Sequence, residues 1–159
     1  MGVKETCVVR SARSSDARAI THFNVRLAWE TEHQQLDPIT VQAGVEAVLG
    51  DRAKGEYFVA EANDQVVGQC SVTYEWSDWR NGMYWWLQSV YVDGPWRQRG
   101  TFRDLFEHVR RTAHSAGAVG LRLYVAKTNL VAQAVYQRRG MVRAGYEVFE
   151  VMLKPGPRG

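Results

Sequence analysis

The chain is poor in cysteine. Cys7 and Cys70 are the two in 159 residues, too few for a disulfide framework and without the pairing that a structural zinc site needs. Four histidines, His22, His33, His108 and His114, are scattered without ligand spacing, so no metal is expected. No apolar run approaches the ~20 residues of a membrane span. The opening "MGVKETCVVRSARSSDARAI" also lacks the apolar centre of a secretion signal. A cytoplasmic protein with no membrane partner is therefore expected. Repeats, low-complexity linkers and obvious domain boundaries are missing too, so residues 1–159 are expected to form one domain.

Ordinary globular patterning is present instead, with 45% hydrophobic and 23% charged residues. Thr6–Arg10 reads as a first strand. Ser14, Ser15 or Asp16 can cap a helix over Ala17–His33, and Asp37-Pro38 announces a second over Ile39–Gly50. Tyr57–Ala62 and Gln65–Trp76 read as strands joined at Asn63-Asp64. A turn at Asn81-Gly82 leads into a third, Met83–Val92. Phe102, Leu105, Phe106, Val109 and Ala113 recur at helical spacing, and Gly117 ends that helix. A strand Leu121–Ala126, a helix Leu130–Arg139 ended by Gly140, and last strand material in Met141–Lys154 complete the series. This order predicts an α/β (α+β) fold: a mixed, mostly antiparallel sheet with helices on both faces.

Charge is distributed unevenly. Residues 1–96 hold 8 Lys and Arg against 13 Asp and Glu, a balance of −5, and residues 97–143 hold 10 against 2, a balance of +8. The basic segment contains "RQRGTF" (Arg97, Gln98, Arg99, Gly100, Thr101, Phe102), followed by Arg103. A glycine-bearing turn feeding a helix N-terminus offers backbone donors and positive potential, which suits a phosphate or diphosphate. Its spacing matches neither the phosphate loop ending in Gly-Lys-Ser/Thr nor the three-glycine dinucleotide fingerprint. An overall charge of +3 with no dedicated binding motif speaks against a nucleic-acid partner.

At this turn the sequence resembles the GCN5-related N-acetyltransferase (GNAT) superfamily, whose Arg/Gln-x-x-Gly-x-Gly/Ala turn is met by Arg97 to Phe102, with Phe102 at the final position. A second match is "TNLVAQAVYQRRGM", with Asn129, Ala132 or Ala134, Tyr136 and Gly140-Met141. The resemblance implies acetyl-CoA as cofactor, held between the strand "WWLQSVYV" and the strand "LRLYVA". It implies that the backbone of Val90, Tyr91 and Val92 pairs with the pantetheine arm, that Gln98 through Arg103 wrap the diphosphate with Arg97 beside them, and that Asn129 bonds near the thiol end. It gives Tyr136, about two helical turns beyond Asn129, the role of general acid on the departing thiolate.

The general base is open at this stage. Places where relatives carry a glutamate are occupied near Trp86 and Tyr124, so Glu75, Glu30 and Glu32 are the candidates, each with a solvated charge as its plain alternative. Four of the six tryptophans fall in "EWSDWRNGMYWW", which is either strand and hairpin packing or an aromatic wall for the acceptor. Asp78 and Arg80 are read as ordering the hairpin, and Cys70 as a buried structural thiol. The resulting expectation is acetyl transfer to a primary amine of a small molecule or peptide. The alternative is a GNAT module that senses acyl-CoA without turnover. A second copy in a homodimer is the other expected partner.

Overall fold

A computed structural model describes residues 6–154. Contacts divide the chain into two compact units, Met1–Leu123 and Tyr124–Gly159. In the first, the order is β1 (Val8–Ser11), α1 (Ala17–Glu32), α2 (Pro38–Gly50), β2 (Glu56–Ala62), β3 (Gln65–Ser77), β4 (Gly82–Val92), α3 (Thr101–Ser115) and β5 (Gly120–Leu123). The sheet runs β1-β2-β3-β4-β5. Its first three pairings are antiparallel and the β4–β5 pairing is parallel.

The expected mixed sheet is thus present, and side-chain alternation along β2 shows how it is covered. Tyr57 and Val59 pack with Ala17 and Ile20 of α1 and Val45 of α2. Phe58, between them, turns to the other face, where its ring lies 5.2 Å from that of His108 on α3. Helices α1 and α2 therefore cover one face and α3 the other, and β2 reads as an apolar run because both faces are buried. Phe58 and Phe106 are fully buried, and truncating either to alanine would cost ~3–5 kcal/mol.

Local signals account for the boundaries. The Asp37 side chain accepts from the amides of Ile39 and Thr40, with Pro38 in the first turn. Asp16 precedes α1 but caps it without a side-chain bond. Its carboxylate instead receives Arg10 at 2.7 Å and the Arg13 amide at 2.7 Å. Burial works to raise the Asp16 carboxyl, but those two donors hold it below its usual range. Asn63 and Asp64 both adopt left-handed backbone, as the β2–β3 turn requires. At the next hairpin Asn81 supplies the left-handed residue and Gly82 already belongs to β4. Among the described residues no helix is long and apolar enough to cross a membrane.

The second unit contains α4 (Leu130–Arg138), capped by Asn129, whose side chain accepts from the Ala132 amide at 3.1 Å. Gly140, at φ +86°, follows the helix. The strand expected in Met141–Lys154 is not formed. The apolar alternation is there, but Val142, Tyr146, Val148, Phe149 and Leu153 are exposed, and no strand of this unit pairs with the segment. A strand exists only through a partner's backbone groups, which alternation alone cannot supply.

Candidate active site

The site begins with an irregularity in β4. Ser71 pairs with Gln88 and Gln69 with Tyr91, so Ser89 and Val90 together face Cys70 alone. This two-against-one arrangement is a β-bulge, and Ser89 takes the left-handed conformation at φ 49° to make it. A buried polar chain supports the bulge. Gln69, with 0% of its surface exposed, donates from Nε2 to the Ser89 carbonyl at 3.2 Å and to Asn24 Oδ1 at 2.7 Å. Asn24 in turn donates to the Tyr57 hydroxyl at 3.0 Å. No sequence motif marks Gln69 or Asn24, and Gln69 is one of several polar residues along β3.

Just before the bulge, the pairing of β4 with β5 ends and leaves the β4 edge open, a fork in the ladder. The parallel register runs Tyr84–Gly120, Trp85–Leu121, Trp86–Arg122, Leu87–Leu123 and stops. From Gln88 to Val92, β4 pairs with β3 on one side and with no described strand on the other. This fork is where the resemblance places the pantetheine arm beside Val90, Tyr91 and Val92. A backbone edge of that kind recruits a strand-like ligand.

The edge leads into the basic turn. Asp93 accepts from the Gly94 amide at 3.0 Å, Gly94–Trp96 form one turn of 3-10 helix, and Gln98 takes a left-handed conformation. Gly100, at φ +95°, is the N-cap of α3 and brings no capping side chain. A Cβ at Gly100 would lie 3.0 Å from an Arg103 guanidinium nitrogen. The turn thus presents a helix N-terminus through a position suited to glycine. Arg99 stacks 5.4 Å from the Trp96 ring, and Arg103 bonds Asp104 at 2.9 Å. Thr101 is buried, its hydroxyl donating to the Trp96 carbonyl at 3.1 Å. Phe102 packs on Phe106, which lets the larger side chain occupy its place in the turn motif. Arg97 is drawn inward: it donates to the Val92 carbonyl at 2.8 Å and to Glu30 at 2.6 Å. The open edge and the glycine turn fit the acetyl-CoA that the resemblance implies.

The three glutamates occupy different settings. Glu30 receives Arg97, Arg26 at 3.1 Å and the Tyr91 hydroxyl at 2.9 Å. The Arg97 bond leads in holding its carboxyl below the usual range, against a smaller desolvation effect. Burial, then Glu30, pushes the Tyr91 hydroxyl up. Glu32 is the exposed last residue of α1. Glu75 lies at the fork: Trp86 donates its indole N–H to one carboxylate oxygen at 2.6 Å and Arg122 contacts the other at 3.1 Å. Arg122, absent from the sequence-based candidates, lies 3.7 Å from the Tyr84 ring centroid.

Other features narrow the chemistry. The Cys70 thiol is fully buried and pushed up to about 12 by burial, which leaves it unsuited to nucleophilic attack at neutral pH. Among the described residues no cluster of three His, Cys, Asp or Glu forms a metal site. Tyr136 lies on α4, where its carbonyl accepts from Arg139 at 2.9 Å and Met141 at 3.1 Å.

Comparison with known proteins follows the same line. No curated protein matches the chain. The family model described as "Acetyltransferase (GNAT) family" matches residues 21–141. A possible acetyltransferase from Clostridium difficile 630 is 42% identical, with TM-score 0.88 over 95% of this chain and 100% of that one. Two others share the fold at lower identity. The ribosomal-protein-alanine N-acetyltransferase from Brucella melitensis biovar Abortus 2308 is 15% identical, TM-score 0.75 over 93% of this chain and 99% of that one. The aminoglycoside acetyltransferase meta-AAC0020 from an uncultured soil metagenomic sample is 16% identical, TM-score 0.75 over 94% and 97%. With its forked sheet, its glycine turn and a family match over most of its length, the chain belongs to the acetyltransferase (GNAT) family.

Proposed function

We propose that the protein is an acetyl-CoA-dependent N-acetyltransferase that moves the acetyl group directly onto a primary amine of a small molecule or peptide. The observation that carries this reading is the edge Gln88–Val92, which continues beyond the end of β5 and runs into the glycine-started helix α3. When bound, acetyl-CoA supplies an acetyl thioester. Val90, Tyr91 and Val92 offer backbone groups to its extended arm, and Gln98–Arg103 receive its diphosphate. Asn129 binds near the thiol through its side-chain nitrogen, since its oxygen caps α4. Glu75 is the preferred base. It takes a proton from the acceptor ammonium, directly or through a water, and so frees the lone pair that attacks the acetyl carbon. As the C–N bond forms and the thioester C–S bond breaks, the Tyr136 hydroxyl would give its proton to the sulfur, and the second proton of the attacking nitrogen would return through water to the Tyr136 oxygen. The inert setting of Cys70 supports direct transfer over an acetyl-cysteine intermediate. Glu30, already holding three donors, serves to tie α1 to the turn, and Glu32 is the weaker base candidate.

Calorimetry with acetyl-CoA tests the binding half. Gly100→Glu sets a side chain and a negative charge where the diphosphate is expected, and its affinity should fall at least about tenfold. Unchanged affinity removes the turn from the site. An amine panel tests the chemical half: Tyr136→Phe should slow turnover ~10²–10⁴-fold with acetyl-CoA affinity retained. Binding of acetyl-CoA with no amine acetylated would instead favour an acyl-CoA sensor.

A further inference from the structure

We propose that the acceptor is an amino carboxylate, a molecule whose primary amine and carboxylate stand on the same or adjacent carbons, read jointly by Glu75 and Arg122. The inference rests on the N-acetyltransferase reading and names its substrate class.

Position is the first reason. Trp86–Arg122 is the next-to-last pair before β4 and β5 separate, and Glu75 stands opposite Tyr84 on the adjoining strand. These four side chains share the sheet face that α1 covers further along; Trp86 and Arg122 lie one pair short of the end of the β4–β5 ladder, and Tyr84 and Glu75 two residues further back.

Charge is the second. Residues 1–96 are acidic as a whole, but around Glu75 that charge is cancelled. Glu75 is met by Arg122, and the neighbouring Thr73 and Gln88 are neutral and bonded to each other at 3.4 Å. A simple amine that reached Glu75 would leave Arg122 without its carboxylate. An amine carrying its own carboxylate exchanges partners: ammonium to Glu75, carboxylate to Arg122, with every charge still paired.

Preorganisation is the third. The Arg122 guanidinium lies over the Tyr84 ring, with the Trp86 ring 5.9 Å away. Tyr84 in turn lies against Gly120, where a Cβ would come within 2.7 Å of the ring. A flat guanidinium held by stacking is suited to the two parallel bonds of a carboxylate. The indole of Trp86 keeps hold of Glu75 Oε2 while Oε1 changes partner. Acetylation removes the acceptor's positive charge. Once Glu75 sheds its proton to solvent, it returns to Arg122 and the product is displaced.

The test uses matched sets: phenylalanine, methionine and lysine, each beside its carboxamide and its decarboxylated amine. Binding to the protein with CoA present is measured by calorimetry, and kcat/KM with acetyl-CoA is measured separately. In at least one set the free acid should bind and react about ten- to a hundredfold better than its amide. Arg122→Gln should collapse that ratio toward one, and Arg122→Lys, which keeps charge but loses the fork, should retain part of it. Both variants are checked for melting temperature, and Arg122→Lys decides if Arg122→Gln fails to fold. Amides acetylated as well as acids would sink the inference while leaving the transferase reading intact. Arg122-dependent binding of acids without any acetylation would support the acceptor site and sink the transferase reading. No preferential binding of any acid, or a preference that survives in folded Arg122→Gln, overturns the proposal.

Discussion

Two glutamates, Glu30 on α1 and Glu75 on the sheet, are both met by arginine, and they differ in what they can still do. Glu30 stands between α1 and the basic turn with three donors on it, from Arg97, Arg26 and Tyr91. Its carboxyl titrates low, led by the Arg97 bond. Glu75 stands at the fork with Trp86 and Arg122 as partners, and 45% of its side-chain surface is exposed against 30% for Glu30. A carboxylate saturated with donors is a poor proton acceptor and a good strut. One with an exchangeable partner at the surface can change roles when a ligand arrives. The charge of a residue therefore says less about function than the number of bonds it must give up to act.

The comparison breaks most visibly in turnover. Glu75→Gln should lower kcat/KM for an identified amine by ~10²–10⁴-fold, with acetyl-CoA affinity kept. Glu30→Gln should leave kcat within about fivefold of wild type, the scale of an exposed ion pair. If Glu30→Gln were the slower enzyme, the two roles would be reversed.

A smaller effect is expected beneath the fork. Gln69→Leu deprives the Ser89 carbonyl and Asn24 Oδ1 of their donor in buried surroundings, which costs ~1–3 kcal/mol. The melting temperature should fall, and the KM for acetyl-CoA should rise more than kcat falls, because the bulge aims the edge that the ligand pairs with. A melting loss with unchanged KM would make Gln69 a packing residue only.

The smallest concerns pH. The folded-state carboxyl of Glu30 lies below its unfolded value, so its contribution to stability is complete above the ordinary glutamate range. That contribution is lost as pH falls from about 4.3 through the lowered folded value. The gap in melting temperature between wild type and Glu30→Gln should narrow on acidification across that window, by the equivalent of ~0.2–1 kcal/mol. A gap that widens would contradict the strut.

Much of this was legible in the sequence where the cause is local. Apolar spacing gave α3, Asp37-Pro38 gave the start of α2, and Asn63-Asp64 gave a hairpin. The turn at Gly100 was visible as a basic, glycine-bearing approach to a helix. What escaped depends on register. Arg122 reaches Glu75 from 47 residues away, and the Ser89 bulge exists only because β3 and β4 slip by one residue. The Arg97–Glu30 bond, which turns an expected base candidate into a tie between elements, spans 67 residues. In Met141–Lys154 the opposite occurred: an alternating pattern was read as a strand, and no partner strand in its own unit converts it into one.

The hydrogen bond from Trp86 to Glu75 also has an optical consequence. The excited state of an indole shifts electron density across the ring, so its emission depends on nearby charge. Here the ring has a carboxylate on its N–H and a guanidinium 5.9 Å away. An amino carboxylate that draws Arg122 from Glu75 should therefore change the protein's intrinsic fluorescence before any acetyl group moves, and Trp86→Phe should remove that change. The fork carries its own reporter, which makes acceptor capture measurable apart from catalysis.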